Sequence, residues 1–266
     1  MVSPESPLVW SSPTQVTGYV LYLVLSLVAL ATLVIVGVIA WSLGVLRQPR
    51  VLVERGQWRE ASVAAERLGA SWLRVFPSVR EEASYAQAAC LHLEGNFDES
   101  LATIAALRKR SPKGRFATAV ALLEGANLVM SGGDARLAVD RLSAACAPRA
   151  AARGAEPLPE DLLFLALARL AAGDATAAEE TFERAGATRP KSAPSPGIYE
   201  PAFRYLRGLY LLKTSRADDA AKDLEAAASS AIVTVYVERA RALAPPRSSS
   251  DDLEARTSLT PQVIDE

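Results

Sequence analysis

Two hydrophobic regimes succeed one another along the chain. From Thr17 to Leu46 no charged residue occurs, and the run GYVLYLVLSLVALATLVIVGVIAWSLGVL is almost continuously apolar. At 1.5 Å per residue such a run makes a helix of ~43 Å, more than the ~30 Å hydrocarbon core of a bilayer, so residues 17–46 are expected to form a tilted or protruding transmembrane helix. Tyr19 and Tyr22 stand near one end and Trp41 near the other, where aromatic rings favour the headgroup level. A cleaved signal peptide would need a basic leader and a shorter apolar stretch, whereas residues 1–16 hold no lysine or arginine. Within the span, Ala40 and Gly44 form a single small-xxx-small pair, weak grounds for helix–helix association.

After Leu46 the apolar positions recur at helical intervals. Stretches such as LEGANLVMSGG (123–133) and LLFLALARLAAG (162–173) are bounded by glycine signals, and no segment alternates with period two for long enough to predict a strand. A motif repeats through this region: GQWREA (56–61), GNFDES (95–100), GDARLA (133–138), GDATAA (173–178) and SRADDA (215–220). Each is a turn residue followed five positions later by a small residue. Four positions further stands Ala65, Ile104, Leu142, Phe182 or Leu224, and three beyond that Leu68, Leu107, Ala145, Ala185 or Ala227. Seven residues before four of the turns lies another small residue: Ala88, Ala126, Ala166 and Gly208. Small residues at both places let two antiparallel helices cross closely. Pro112 and Pro190 follow their turns at equal distance and predict helix stops.

This pattern resembles the tetratricopeptide repeat, a helix pair with small residues at the crossing and glycine in the turn. The resemblance covers most of the chain beyond the span and implies an all-α, repeat-built solenoid over residues 47–244, about five units and a capping helix. Pro49 sits at the crossing position of the first unit, Ser215 replaces the fifth turn glycine, and the turns are 38–42 residues apart against a usual period of ~34. The extra length falls in APRAAARGAEPLPED (147–161) and TRPKSAPSPGIY (188–199), which read as connecting loops. IVTVYVERARALA (232–244) reads as a final helix covering the apolar face of the last unit. Polar residues 245–266 read as a disordered tail, and 1–16 as a short extracytoplasmic N-terminus.

Charge then sets orientation and narrows function. Arg47, Arg50, Arg55 and Arg59 follow the span and only Glu5 precedes it, so the positive-inside rule places the repeat domain in the cytoplasm, on the inner membrane of a bacterium. A net charge of −1 offers no basic face for nucleic acid. Cys90 and Cys146 lie inside apolar helical patterns and read as small buried side chains. With His92 the only histidine, neither a Ser-His-Asp set nor a multi-histidine metal site can be assembled, and no phosphate-binding glycine loop is present. No enzyme and no cofactor is expected. The acidic pairs Asp98–Glu99, Glu179–Glu180 and Asp218–Asp219, early in second helices, and Arg108, Lys109 and Arg110 at a helix end read as complements of the helix dipole.

In the resembled family, ligands lie in the groove lined by first helices. Carried onto this chain, that face holds Tyr85, His92, Asn127, Met130, Leu163, Leu167, Tyr205 and Leu209, an apolar and aromatic set suited to an amphipathic helix of a partner protein. The expectation is a membrane-anchored adaptor or scaffold, with homo- or hetero-oligomerisation left open. The alternatives are a permanent subunit of a larger envelope assembly or, with reversed topology, a periplasmic assembly factor. In a third alternative these leucines are simply core, covered by neighbouring helices or by the last helix.

Overall fold

The computed structural model of the chain describes residues 22, 24–33, 44, 48–49, 51–53, 55–111, 116–147, 157–188 and 198–244. The chain divides into two compact units between Arg47 and Gln48. In the first, the described residues are helical, and Tyr22, Val24, Leu25, Leu27, Val28, Leu30 and Leu33 are exposed. Among the described residues no helix is long and apolar enough to cross a membrane. Most of the span expected over 17–46, Ala40 of the small-residue pair, the two long connectors in their central parts and the 1–16 and 245–266 segments lie outside the described residues.

The second unit is all-helical where described. Its helices are α1 (Trp58–Ala70), α2 (Pro77–Glu94), α3 (Phe97–Arg110), α4 (Ala117–Ser131), α5 (Ala135–Cys146), α6 (Pro159–Ala171), α7 (Ala175–Thr188), α8 (Tyr199–Lys213), α9 (Ala217–Ala228) and α10 (Val235–Leu243). A short 3₁₀ turn, Trp72–Val75, joins α1 to α2. Consecutive helices pack as antiparallel pairs, α2 with α3, α4 with α5, α6 with α7 and α8 with α9. The first helices α2, α4, α6 and α8 also pack side by side, forming an inner layer.

One turn closes every unit. At Gly56, Gly95, Gly132, Gly173 and Ser215 the backbone is left-handed, with φ of 78°, 87°, 72°, 87° and 61°. The following residue donates its amide back across the turn in each case: Gln57 to Leu52 O, Asn96 to Leu91 O, Gly133 to Leu128 O, Asp174 to Arg169 O and Arg216 to Leu211 O, at 2.8–3.0 Å. This double closure satisfies carbonyls that a helix end otherwise leaves open. In the third turn the left-handed residue is Gly132, one position before the Gly133 expected from the motif, because Asp134 takes the next helix's N-cap and accepts from Arg136 N and Leu137 N. Ser215 adopts the same conformation with a side chain attached, which costs a non-glycine residue ~1–2 kcal/mol.

The repeated small residues sit where the pairs cross. Ala61, Ser100, Ala138, Ala178 and Ala220 are all fully buried, and so are Ala88, Ala166, Leu142 and Leu224 or nearly so. Ser100 Oγ donates to Ala88 O at 2.8 Å, tying α3 to α2 at their crossing. A Cβ added at Gly208 would lie 2.9 Å from Leu224 Cγ, and one at Gly125 only 2.4 Å from Leu142 Cγ. At Gly125, one position before the expected crossing residue Ala126, α4 and Leu142 of α5 thus approach too closely for any side chain. Helices α3 and α7 end at Arg110 and Thr188, two residues before Pro112 and Pro190.

Several charges do more than complement dipoles. Arg108 Nη1 donates to both Glu124 oxygens (2.8 and 2.9 Å), and Arg141 Nε stands 3.0 Å from the same carboxylate, so Glu124 on α4 joins α3 to α5. Glu179 lies past the first turn of α7 and takes a two-pronged pair from Arg216 at 3.1 and 2.9 Å. Asp223, almost fully buried, holds Arg204 and Arg207. A buried carboxylate is tolerable only with such partners.

Candidate functional site

The last helix does not simply cap the fifth unit. It packs on α9 and α8 but also reaches back to α2, lying across the inner layer of first helices. Its approach is fixed from the first unit: Trp58 Nε1 donates to Val233 O at 2.9 Å, and Ile232 lies over Gly56, whose missing side chain makes room for it. Arg241 then folds back, Nε to Ala228 O (3.0 Å) and Nη2 to Ser230 O (3.2 Å), closing the connection after α9.

Tyr236 and Arg239, three residues apart and so on one face of α10, enter the inner layer, and Val235 lies against Gly95 beside them. Tyr236 is buried among His92, Phe164 and Tyr205, with ring centroids 5.7, 6.4 and 5.9 Å away. Arg239 lies over the ring of Phe97, 4.9 Å from its centroid, and donates to Met130 O at 2.9 Å.

A single chain of hydrogen bonds runs beneath them. Asn127 Nδ2 donates to Ser100 Oγ (2.9 Å) and to Leu123 O (2.8 Å), which leaves Asn127 Oδ1 as an acceptor facing His92 Nδ1 at 2.9 Å. Nδ1 therefore carries the proton, Nε2 is bare, and the Tyr236 hydroxyl donates to Nε2. Ser100 completes the chain on Ala88 O. With the imidazole neutral, each donor along it, Ser100 Oγ, Asn127 Nδ2, His92 Nδ1 and the Tyr236 hydroxyl, meets an acceptor. Burial agrees: it lowers the His92 pKa to about 4, against a smaller opposing effect of the Asn127 hydrogen bond, while nearby Arg239 lowers it further. Burial also pushes the Tyr205 and Tyr236 hydroxyls above their usual range, and the thiols of Cys90 and Cys146 up to about 12.

Of the residues expected to line an open groove, His92, Asn127, Met130, Leu163, Leu167 and Tyr205 are buried, and Leu209 is half-buried against the same core. Their face is covered within this chain by neighbouring helices and by α10. Tyr85 stands apart from them: it stacks on Phe116 at 5.3 Å in a small separate cluster with Ala88, Ile104, Leu107 and Val120. The site residues that the sequence did not assign are Tyr236, Arg239, Phe97, Phe164 and Trp58. Four of them carried a legible signal: Trp58 and Phe97 stand two residues after the turn glycine in the first two motif copies, and Tyr236 and Arg239 stand at i, i+3 on a short final helix.

Among the described residues, no group of three or more His, Cys, Asp or Glu side chains is placed to hold a metal ion. No family model, no curated protein and no solved structure matches this chain.

Proposed function

We propose that the chain is a membrane-tethered helical-repeat adaptor, built like the tetratricopeptide repeat proteins, whose inner face receives an amphipathic helix and here holds its own last helix in that place. The observation that supports this reading is the grip on α10: an aromatic side chain buried on His92 and an arginine seated on Phe97 and Met130 O. Helix-in-groove recognition draws its affinity from a few anchors of this kind. The apolar run over 17–46 is the tether, and the arginines after it place the repeat domain on the cytoplasmic side. A partner protein would supply a helix with the same aromatic and basic positions and compete with α10. The hold of α10 is incomplete, since among the described residues the buried Thr234 hydroxyl at its N-cap finds no hydrogen-bond partner, which costs on the order of 1–3 kcal/mol.

The test removes the resident helix and returns it in trans. A chain ending at Ser230 is expected to keep its helical content and to bind a labelled peptide of residues 231–245 saturably. Replacing Tyr236 by Phe in that peptide should weaken binding about tenfold, the loss of one buried hydrogen bond. A shortened chain that unfolds, or a folded one that ignores the peptide, overturns the adaptor reading and makes α10 a permanent part of the core. A phosphatase fused after Glu266 is expected to be inactive in cells; strong activity would reverse the topology.

A further inference from the structure

The connection between the first two helices exposes what a water-soluble surface usually hides. Leu73 is buried and pins the 3₁₀ turn, which leaves Trp72, Val75 and Phe76 exposed at 61%, 68% and 50%. The Trp72 and Phe76 rings meet edge-on, 6.4 Å apart, so they form one patch. Beside it opens a cleft of about 350 Å³ between α1, α2 and the end of α3, lined by Arg74, Arg80 and Arg110 with Glu66 as its one carboxylate. Among the described residues, none of these three guanidinium groups makes an ion pair or a side-chain hydrogen bond.

Three unneutralised guanidinium groups around one concavity form a receptor for phosphate oxygens, since each offers a planar fork of donors. The adjoining rim is of the kind that enters a lipid headgroup layer, an indole and a phenyl ring with an aliphatic neighbour. Phosphate in solution would use the cleft and ignore the rim; an acidic peptide has no need of a ring pair beside its carboxylates. A bilayer carrying anionic headgroups uses both. We infer that the Trp72–Phe76 turn and the Arg74, Arg80 and Arg110 cleft dock the repeat domain on an anionic membrane surface, the headgroup phosphate entering the cleft and the rings entering the interface. This second contact rests on the tether of the proposed function, which supplies the membrane, and it fits the rule that stable membrane placement takes two signals.

The experiment uses the full chain with Val75→Cys labelled by an environment-sensitive dye, the native thiols of Cys90 and Cys146 being buried. The chain is reconstituted in phosphatidylcholine vesicles with or without about one third phosphatidylglycerol, the anionic surface the arginines would sense. The expected result is a blue shift of the dye only with phosphatidylglycerol, abolished when Arg74, Arg80 and Arg110 are all changed to Gln and not given by free inorganic phosphate at millimolar concentration without anionic vesicles. Folding of the triple variant is checked by circular dichroism. A shift absent from both vesicles, equal in both, or retained by the triple variant overturns the inference; a shift given by soluble polyglutamate and not by vesicles assigns the cleft to acidic peptides and also overturns it. Flotation separates the two readings. If the chain fails to float with phosphatidylcholine vesicles, the tether fails. Flotation with phosphatidylglycerol vesicles alone then still supports the cleft, and flotation with neither overturns both.

Discussion

The seams between paired helices and the face beneath the last helix are both buried, yet they are built differently. The seams are local and close on small residues, with Asp223 on α9 paired to Arg204 and Arg207 of the adjoining helix. Small residues let the helices close, as where Ser100 meets Ala88, twelve positions away, and leucines fill the remaining space. Beneath α10 the packing is polar and distant: a hydrogen-bonded histidine and asparagine, a ring cluster and an arginine. Its contacts join Trp58 to Val233, His92 to Tyr236 and Met130 to Arg239, 175, 144 and 109 positions apart. A seam tolerates no added volume. The inner face tolerates no missing partner or added charge, because His92, Asn127 and Tyr236 are buried away from water.

The strongest way to break this contrast is in a seam. Leu142→Ala on α5 should destabilise by about 3 kcal/mol, the cost of emptying a fully buried leucine site. Gly125→Ala should cost about 1–3 kcal/mol, because its new methyl meets Leu142. The double variant is expected to be more stable than the sum of the two losses, by about 1 kcal/mol or more, since the methyl fills vacated space. Denaturant unfolding of the four proteins measures this coupling, and strict additivity would show that the two residues do not share one site.

The inner face should respond to pH where the seam does not. Burial holds the His92 pKa at about 4 in the folded chain, below the ~6.5 of an unfolded one. Between those values only the unfolded state takes up the proton. Stability is therefore fully present near pH 7 and falls as pH drops, by roughly 2–3 kcal/mol at pH ~4.5. Asp161 acts with the opposite sign: burial raises its carboxyl to about 6, so folding gains as pH falls through that value. The comparison is thus between the wild-type chain and His92→Gln, whose stability curves should diverge from pH ~6.5 downward. Parallel curves would mean that His92 is not held neutral.

The smallest effect is in a turn. Ser215 is the one non-glycine among the five left-handed turn residues, so Ser215→Gly should stabilise the fold by about 0.5–1 kcal/mol, strain relief partly offset by a freer unfolded chain. The same change at an ordinary exposed helix position would destabilise. A thermal melt shifted downward by Ser215→Gly would show that the fifth turn is not strained.

Much of the fold was legible because a helix pair is a short-range object. Turn glycines, small residues at fixed offsets and prolines after the second helices each act within one unit, and the helix boundaries follow them closely. The one-position error at Gly132 arose because Asp134 anchors the next helix, and a doubled glycine gives no sign of which member turns. The candidate site was less legible. Its expected residues lie on α2, α4, α6 and α8, but nothing in a residue's own neighbourhood says what lies across from it. Arg108 and Glu179 read as dipole complements for the same reason: their partners, Glu124 and Arg216, belong to other helices.

By itself, then, the sequence determined the all-helical class, the pairing of neighbours and the five turns, because backbone hydrogen bonds and close crossings are settled within about forty residues. Only the tertiary structure decided what occupies the inner face. A short helix such as Val235–Leu243 has no stable position of its own in water. Its place is set by the rings, acceptors and missing side chains that five separate units bring together, among them His92, Phe97, Tyr205 and Gly56.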